Sequence, residues 1–202
     1  TDKQTLIDVA LFGYGTPQRS FYAFPNRWTD IPDPYPYDLD KAREYMAQSK
    51  VPDGFQLPLS YEAGSFRDEQ MATLIQQQWA EIGVEVQLDP LESGTLGERT
   101  WGGGCSLPAH IGYHTSDVIH PFEISILCAW TSLWACTCNE EFNALYEESE
   151  RMMDRAEHEA AWRELVHITN DWASTVPIAH PQTRTALAEY VKGFKILPPA
   201  NF

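Results

Sequence analysis

The chain is poor in basic residues, in long apolar runs and in the signatures that mark common active sites. Only 14 Lys and Arg stand against 29 Asp and Glu in 202 residues, a formal net charge of -15. Such a surface repels phosphate backbones and anionic lipid, and no Lys/Arg run offsets it, so nucleic acid is not an expected partner. No apolar stretch approaches the roughly 18 residues that a membrane-crossing helix needs. There is no Gly-x-Ser-x-Gly elbow, no His-Glu-x-x-His helix, no phosphate-cradling glycine loop and no Gly-x-Gly-x-x-Gly after a strand. These absences count against the hydrolase, zinc-protease and nucleotide-binding readings and leave a non-enzymatic chain with no cofactor as the expectation.

Cysteine is scarce but not scattered. Cys128, Cys136 and Cys138 fall within eleven positions, with Trp130 and Trp134 between them and Cys105 upstream. That crowding suits a disulfide-stabilised loop in an oxidising compartment, and free thiols in a reducing one are the competing reading. What is abundant is aromatic: seven Trp, nine Tyr and nine Phe, within a hydrophobic content of 43%. That supplies a proper core, and a ligand cleft is the other use for rings at this density.

The stretch from Gly54 to Pro90 reads as one β-α-β unit. Phe55–Tyr61 and Val84–Leu88 alternate apolar and polar residues, so each is a strand with one face buried. Between them Ser65 and Asp68 form a capping box, Met71, Leu74, Ile75, Trp79 and Ile82 recur at helical spacing, and Gly83 stops the helix. A right-handed crossover between parallel strands follows. The chain is therefore α/β, with ligand chemistry expected at the carboxyl ends of its strands.

Around this unit the pattern is looser. Leu6, Ile7, Val9, Ala10 and Leu11 are helical in spacing without an evident cap, as in a helix already under way at Thr1, and Gly13-Tyr-Gly-Thr-Pro17 stops it sharply. Asp38 opens a short helix with Ala42, Tyr45 and Met46 on its buried side. Ser93–Trp101 is weakly helical, and Ala109–His114 is a strand ending in Thr115-Ser-Asp117. Two helices follow. Asn139 caps the first, striped by Phe142, Leu145, Tyr146, Met153 and Ala156; Ala161, Leu165, Ile168 and Trp172 stripe the second. The cluster Glu140, Glu141, Glu147, Glu148 and Glu150 is the wet face of the first. Pro177–His180 and Ala186–Tyr190 are extended runs.

The order of these phrases is itself informative. Gly13-Tyr-Gly-Thr-Pro17, Tyr37-Asp-Leu-Asp-Lys-Ala42, Asp53-Gly-Phe55, Ile75 through Val86, Val176-Pro-Ile-Ala-His180 and Val191-Lys-Gly-Phe-Lys195 together resemble the C-terminal half of the extracellular solute-binding proteins of peptide/nickel-type ABC transporters, family 5, closest to the dipeptide-binding members. The resemblance covers nearly the whole chain. It implies a type II periplasmic-binding-protein-like lobe, a mixed sheet flanked by helices. Residues 1–202 would be the C-terminal lobe of a two-lobed protein whose N-terminal lobe is absent from this chain. Such a protein lies in the periplasm or at the cell surface, captures a peptide-like or other small polar solute between its lobes, and hands it to a membrane permease.

The resemblance also implies residues. The family's amine-binding acid matches Asp117, although the usual Asp-Pro after it is replaced by His120-Pro121. Tyr113 and His114 flank it on opposite strand faces, Trp130 and Trp134 could wall an apolar pocket or pack in the core, and His180 lies near the family's cleft. Cys128 with Cys138 is the implied disulfide. An alternative reading from another class is a metal-dependent hydrolase or metal-binding domain using His114, Asp117 and His120, with Cys136 and Cys138 as soft ligands. Residues at i, i+3 and i+6 do not converge on a strand, and Cys-x-Cys is tighter than the usual zinc spacing. A third reading makes the aromatic loop Phe21–Tyr37 a surface for holding another protein.

Overall fold

The computed structural model describes residues 1–19, 32–100, 106–112, 139–182 and 185–195. In chain order these form α1 (Lys3–Ala10), β1 (Gly15–Pro17), α2 (Leu39–Gln48), β2 (Phe55–Glu62), α3 (Phe66–Ala80), β3 (Val84–Leu91), α4 (Ser93–Thr100), β4 (Ala109–His110), α5 (Glu140–Ser149), α6 (Arg155–Trp172) and β5 (Ala179–Pro181). No helix among the described residues is long and apolar enough to cross a membrane.

The β-α-β unit forms as its pattern requires. Strands β2 and β3 pair in parallel from Phe55↔Val84 to Glu62↔Leu91, and β4 joins the other side of β2, also parallel, through Leu59↔Ala109 and Ser60↔His110. Ser65 caps α3 by accepting the Asp68 amide proton, and Gly83, at φ +83°, turns the chain into β3. Leu59, Tyr61, Val84 and Val86 then meet Met71 and Ile75 of α3 and Leu6 and Ala10 of α1 in one core. Alternation along a strand sends Leu57, Leu59 and Tyr61 to one face and Gln56, Ser60 and Glu62 to the other. The second face is polar, with Gln56 donating to Glu85 at 3.0 Å across the strand pair.

Antiparallel pairing occurs as well, in a ribbon of β1 and β5 that aligns Thr16 with His180. The spacing of the first residues gave no hint of β1, which the glycines of Gly13-Tyr-Gly15 disguise as a stop. Helices α5 and α6 pack on each other, burying Phe142 and Tyr146 against a stripe of Ala161, Trp162, Leu165 and Val166. The acidic residues Glu140, Glu141, Glu147, Glu148 and Glu150 are all exposed, as a solvated face should be.

Several local expectations are corrected. Helix α1 has its own cap: Asp2 accepts the Thr5 amide at 3.1 Å and the Thr5 hydroxyl at 2.7 Å. It is therefore not a helix already under way at Thr1. Tyr45 is exposed because the stripe of α2 is narrow, and only Met46 among its large side chains reaches the core. The helix expected to run from Asn139 through Ala156 is two helices. Asp154 caps the second by accepting the amides of Ala156 and Glu157, leaving Met153 in the link and 98% exposed. The run at 186–190 forms no strand.

Candidate functional site

Because β2, β3 and β4 are parallel, their carboxyl ends at Glu62, Leu91 and His110 lie on one edge, the edge where open α/β sheets take their ligands. Ser60 and Asp89, each two residues before its strand's end, are in register with each other, and Ser60 is also in register with His110 at the end of β4, a polar row across three strands. The fully buried Ser60 hydroxyl donates to Asp89 Oδ2 at 2.7 Å. Arg99, in the last turn of α4, brings Nη1 to 4.0 Å from the same oxygen. Its Nε and Nη2 donate to Ser106 Oγ and O at 3.2 and 3.5 Å. The guanidinium thus ties β3 to the segment that enters β4. Burial lowers the pKa of His110 and favours the uncharged imidazole.

Serine, histidine and aspartate in one row suggest a nucleophile, and the chemistry contradicts it. Ser60 gives its proton to a carboxylate instead of an imidazole, and with no exposed surface it cannot reach a solute. The row is a strut under the edge. Two acids mark the other side of β2. Asp68, buried in the first turn of α3, has its carboxyl pushed up by burial, with the Arg67 guanidinium at 3.2 Å opposing the shift. The Tyr61 phenol is raised by burial and by the negative charges of Glu69 and Asp89.

A concavity of about 260 Å³ lies away from this edge, where the start of α1 meets the end of α6, lined by Lys3, Arg19, Asp33, Tyr35, Asn170 and Val176 among others. Lys3 Nζ donates to Asp33 Oδ2 at 2.6 Å and to the Gln18 carbonyl at 2.8 Å. Its charge is therefore spent within the chain, and the volume is below that usual for a drug-sized ligand.

Of the residues singled out in the sequence, His180 alone is described. It sits half-buried in β5, opposite Thr16, in the ribbon and not in the parallel sheet. Asp117, Tyr113, His114, His120, Trp130, Trp134, Cys105, Cys128, Cys136 and Cys138 lie outside the described residues, as does most of the Phe21–Tyr37 loop. Among the described residues no three His, Cys, Asp or Glu side chains gather as metal ligands. Sequence reasoning missed the Ser60–Asp89–Arg99 strut. The available signal was the parallel pairing itself, since Ser60 and Asp89 stand at equal distances from Phe55 and Val84.

The sequence model described as "Bacterial extracellular solute-binding proteins, family 5 Middle" matches residues 1–116. Heme-binding protein A of Haemophilus influenzae is 28% identical over 205 residues, 96% of this chain and 37% of that protein. Glutathione-binding protein GsiB of Salmonella paratyphi A is 25% identical over 215 residues, 100% of this chain and 41% of that protein. The chain thus spans about two-fifths of the length of these curated relatives. Among solved structures, the ABC transporter-associated periplasmic binding protein DppA from Helicobacter pylori, in complex with the peptide STSA, superposes with a TM-score of 0.77 at 24% identity. That superposition covers 89% of this chain and 36% of that one, and it establishes the type II binding-protein fold.

Proposed function

Because the chain belongs to the bacterial extracellular solute-binding proteins of family 5, we propose that it forms one lobe, the C-terminal one, of the substrate-binding component of an ABC importer. The family match over residues 1–116 carries this reading, since it takes in the whole β-α-β unit and β4. The solute is peptide-like. In support, the Helicobacter pylori protein of the same fold was solved with a peptide and the Salmonella relative is named for glutathione, itself a peptide. The protein works outside the cytoplasm, in the periplasm or at the cell surface, and delivers its solute to a membrane permease.

In this reading the segment leaving the carboxyl end of β4 brings Asp117 to the solute's ammonium group. A charge-assisted hydrogen bond of that kind contributes about 1.5–3 kcal/mol once desolvated. Trp130, Trp134 and His180 contribute walls together with one of Tyr113 and His114, which face opposite sides of the strand, and Cys128 bridged to Cys138 closes the loop that carries the two tryptophans. Solute couples to closure because only the closed state desolvates it from both lobes, so binding shifts the open-closed equilibrium.

The test is calorimetry on the full-length protein and on residues 1–202 alone, with a panel of dipeptides, a tetrapeptide and glutathione. Micromolar binding by the full-length protein, against affinity weaker than about 1 mM for the 202 residues, is the expected result. Equal micromolar binding by both, or no binding of any panel member by the full-length protein, overturns the proposal.

A further inference from the structure

Two phenylalanine rings stand exposed at the carboxyl edge of the parallel sheet. Phe12 is 65% and Phe66 54% accessible, yet their planes lie within 7° of each other with centroids 5.7 Å apart. Phe66 is the first residue of α3, directly after the Ser65 cap and four positions beyond the end of β2 at Glu62. Phe12 follows the carboxyl end of α1, where it adopts φ +54°, a left-handed conformation that helix ends normally give to glycine. A β-carbon there is strained. The strained backbone therefore presents its side chain to solvent, as half of an ordered pair.

We infer that Phe12 and Phe66 form a stacking shelf for an aromatic side chain of the solute; the inference rests on the peptide-like reading above and deepens it. Parallel, offset rings of 5.7 Å centroid separation are the arrangement that aromatic pairs favour, and a third flat ring extends it without rearrangement. The location supports a solute over other occupants, since the shelf adjoins the strand ends at which this fold class takes its ligands. The shelf adds apolar selectivity to a site whose acid selects an amine.

Phe12→Gly makes the experiment sharp, because it removes the ring and relieves the backbone together. In the full-length protein, the affinities of Gly-Phe and Gly-Ala are measured by calorimetry alongside Tm, for the parent, Phe12→Gly and Phe66→Ala. The parent is expected to prefer Gly-Phe by about threefold to tenfold. Each variant should bring that ratio close to one while Gly-Ala affinity stays put, and Phe12→Gly should hold or raise Tm. A preference for Gly-Phe unchanged in both variants overturns the shelf. So does its absence in a parent that binds dipeptides, and so does a fall in Tm with unchanged affinities, which would mean that another part of the protein covers the rings. Failure of both dipeptides to bind defeats the peptide-like reading first, and the shelf with it.

Discussion

Ser60 and Asp89 stand opposite each other on parallel strands, and the buried hydroxyl of the first donates to a carboxylate oxygen of the second at 2.7 Å. The bond satisfies a fully buried hydroxyl close to the ligand edge while the Asp89 carboxylate remains partly exposed to meet Arg99. Removing either partner has unequal consequences. Asp89→Ala strands a buried hydroxyl and is expected to cost about 1–3 kcal/mol, whereas Ser60→Ala removes the need along with the bond and should cost about 1 kcal/mol or less. Urea denaturation of the two variants checks the order, and a costlier Ser60→Ala would mean that the hydroxyl has a more important partner than Asp89.

That pair also shows where the sequence stops being informative. Alternation in Phe55–Tyr61 and Val84–Leu88 places Ser60 on a polar face, and the cap at Ser65 with the stop at Gly83 bounds α3 closely. Which residue faces Ser60 depends on register, and register is set at the other end of the strands, where Phe55 donates its amide to the Gly83 carbonyl at 3.3 Å. No local pattern encodes that contact. Short elements fare worse for a related reason. β1 is three residues whose identity depends on pairing with a strand more than 160 positions away, and Met153 carries a helical spacing that the Asp154 cap overrides. Of the candidate site, the carboxyl edge was legible because topology alone locates it. The shelf and the strut were not, because each joins residues brought together by folding.

Gly54 is the tightest point of the register contact. A β-carbon added there would lie 2.0 Å from the Gly83 carbonyl oxygen, and the backbone is at φ +91°. Gly64, at φ +80°, has nothing within 4 Å of the same hypothetical atom. Gly64→Ala is thus expected to cost the left-handed penalty of about 1–2 kcal/mol, and Gly54→Ala more than about 3 kcal/mol, because backbone must move. Thermal denaturation of the two variants gives the comparison; equal losses would show that the β2–β3 start yields more readily than its packing implies.

Two carboxylates at helix starts should respond to pH with opposite signs. Backbone and side-chain hydrogen bonds from Thr5 hold Asp2 below its ordinary value. Its contribution, about 1 kcal/mol for a cap, is present above the unfolded pKa and lost as pH falls through the lower folded one. Burial raises Asp68, so the folded state keeps its proton longer than the unfolded chain, and stability falls as pH climbs from the ordinary carboxylate value through the raised one. Comparing Asp2→Ala and Asp68→Asn with the parent by denaturation from acid to neutral pH separates them. Asp2→Ala should lose relative stability with rising pH and Asp68→Asn gain it. Parallel slopes for the two would refute the assignment.

The last expectation concerns how β4 is held. In the described residues its ladder with β2 is two positions long, extended by the Ile111 amide donating to the Ser60 carbonyl at 2.9 Å. So short a strand needs a second restraint. Arg99 supplies one by bonding both atoms that Ser106 offers while facing Asp89. A planar guanidinium can serve three acceptors at fixed angles, which the single ammonium of lysine cannot reproduce. Arg99→Ala and Arg99→Lys are therefore both expected to speed hydrogen exchange at the Ile111 amide by about tenfold, the equivalent of one charge-assisted bond of about 1.5 kcal/mol. Amides of the β2–β3 ladder should keep their protection, since that pairing spans eight positions without Arg99. If exchange at Ile111 is unchanged in both variants, Arg99 does not restrain β4. If the whole sheet loosens together, Arg99 supports the sheet globally and not this strand.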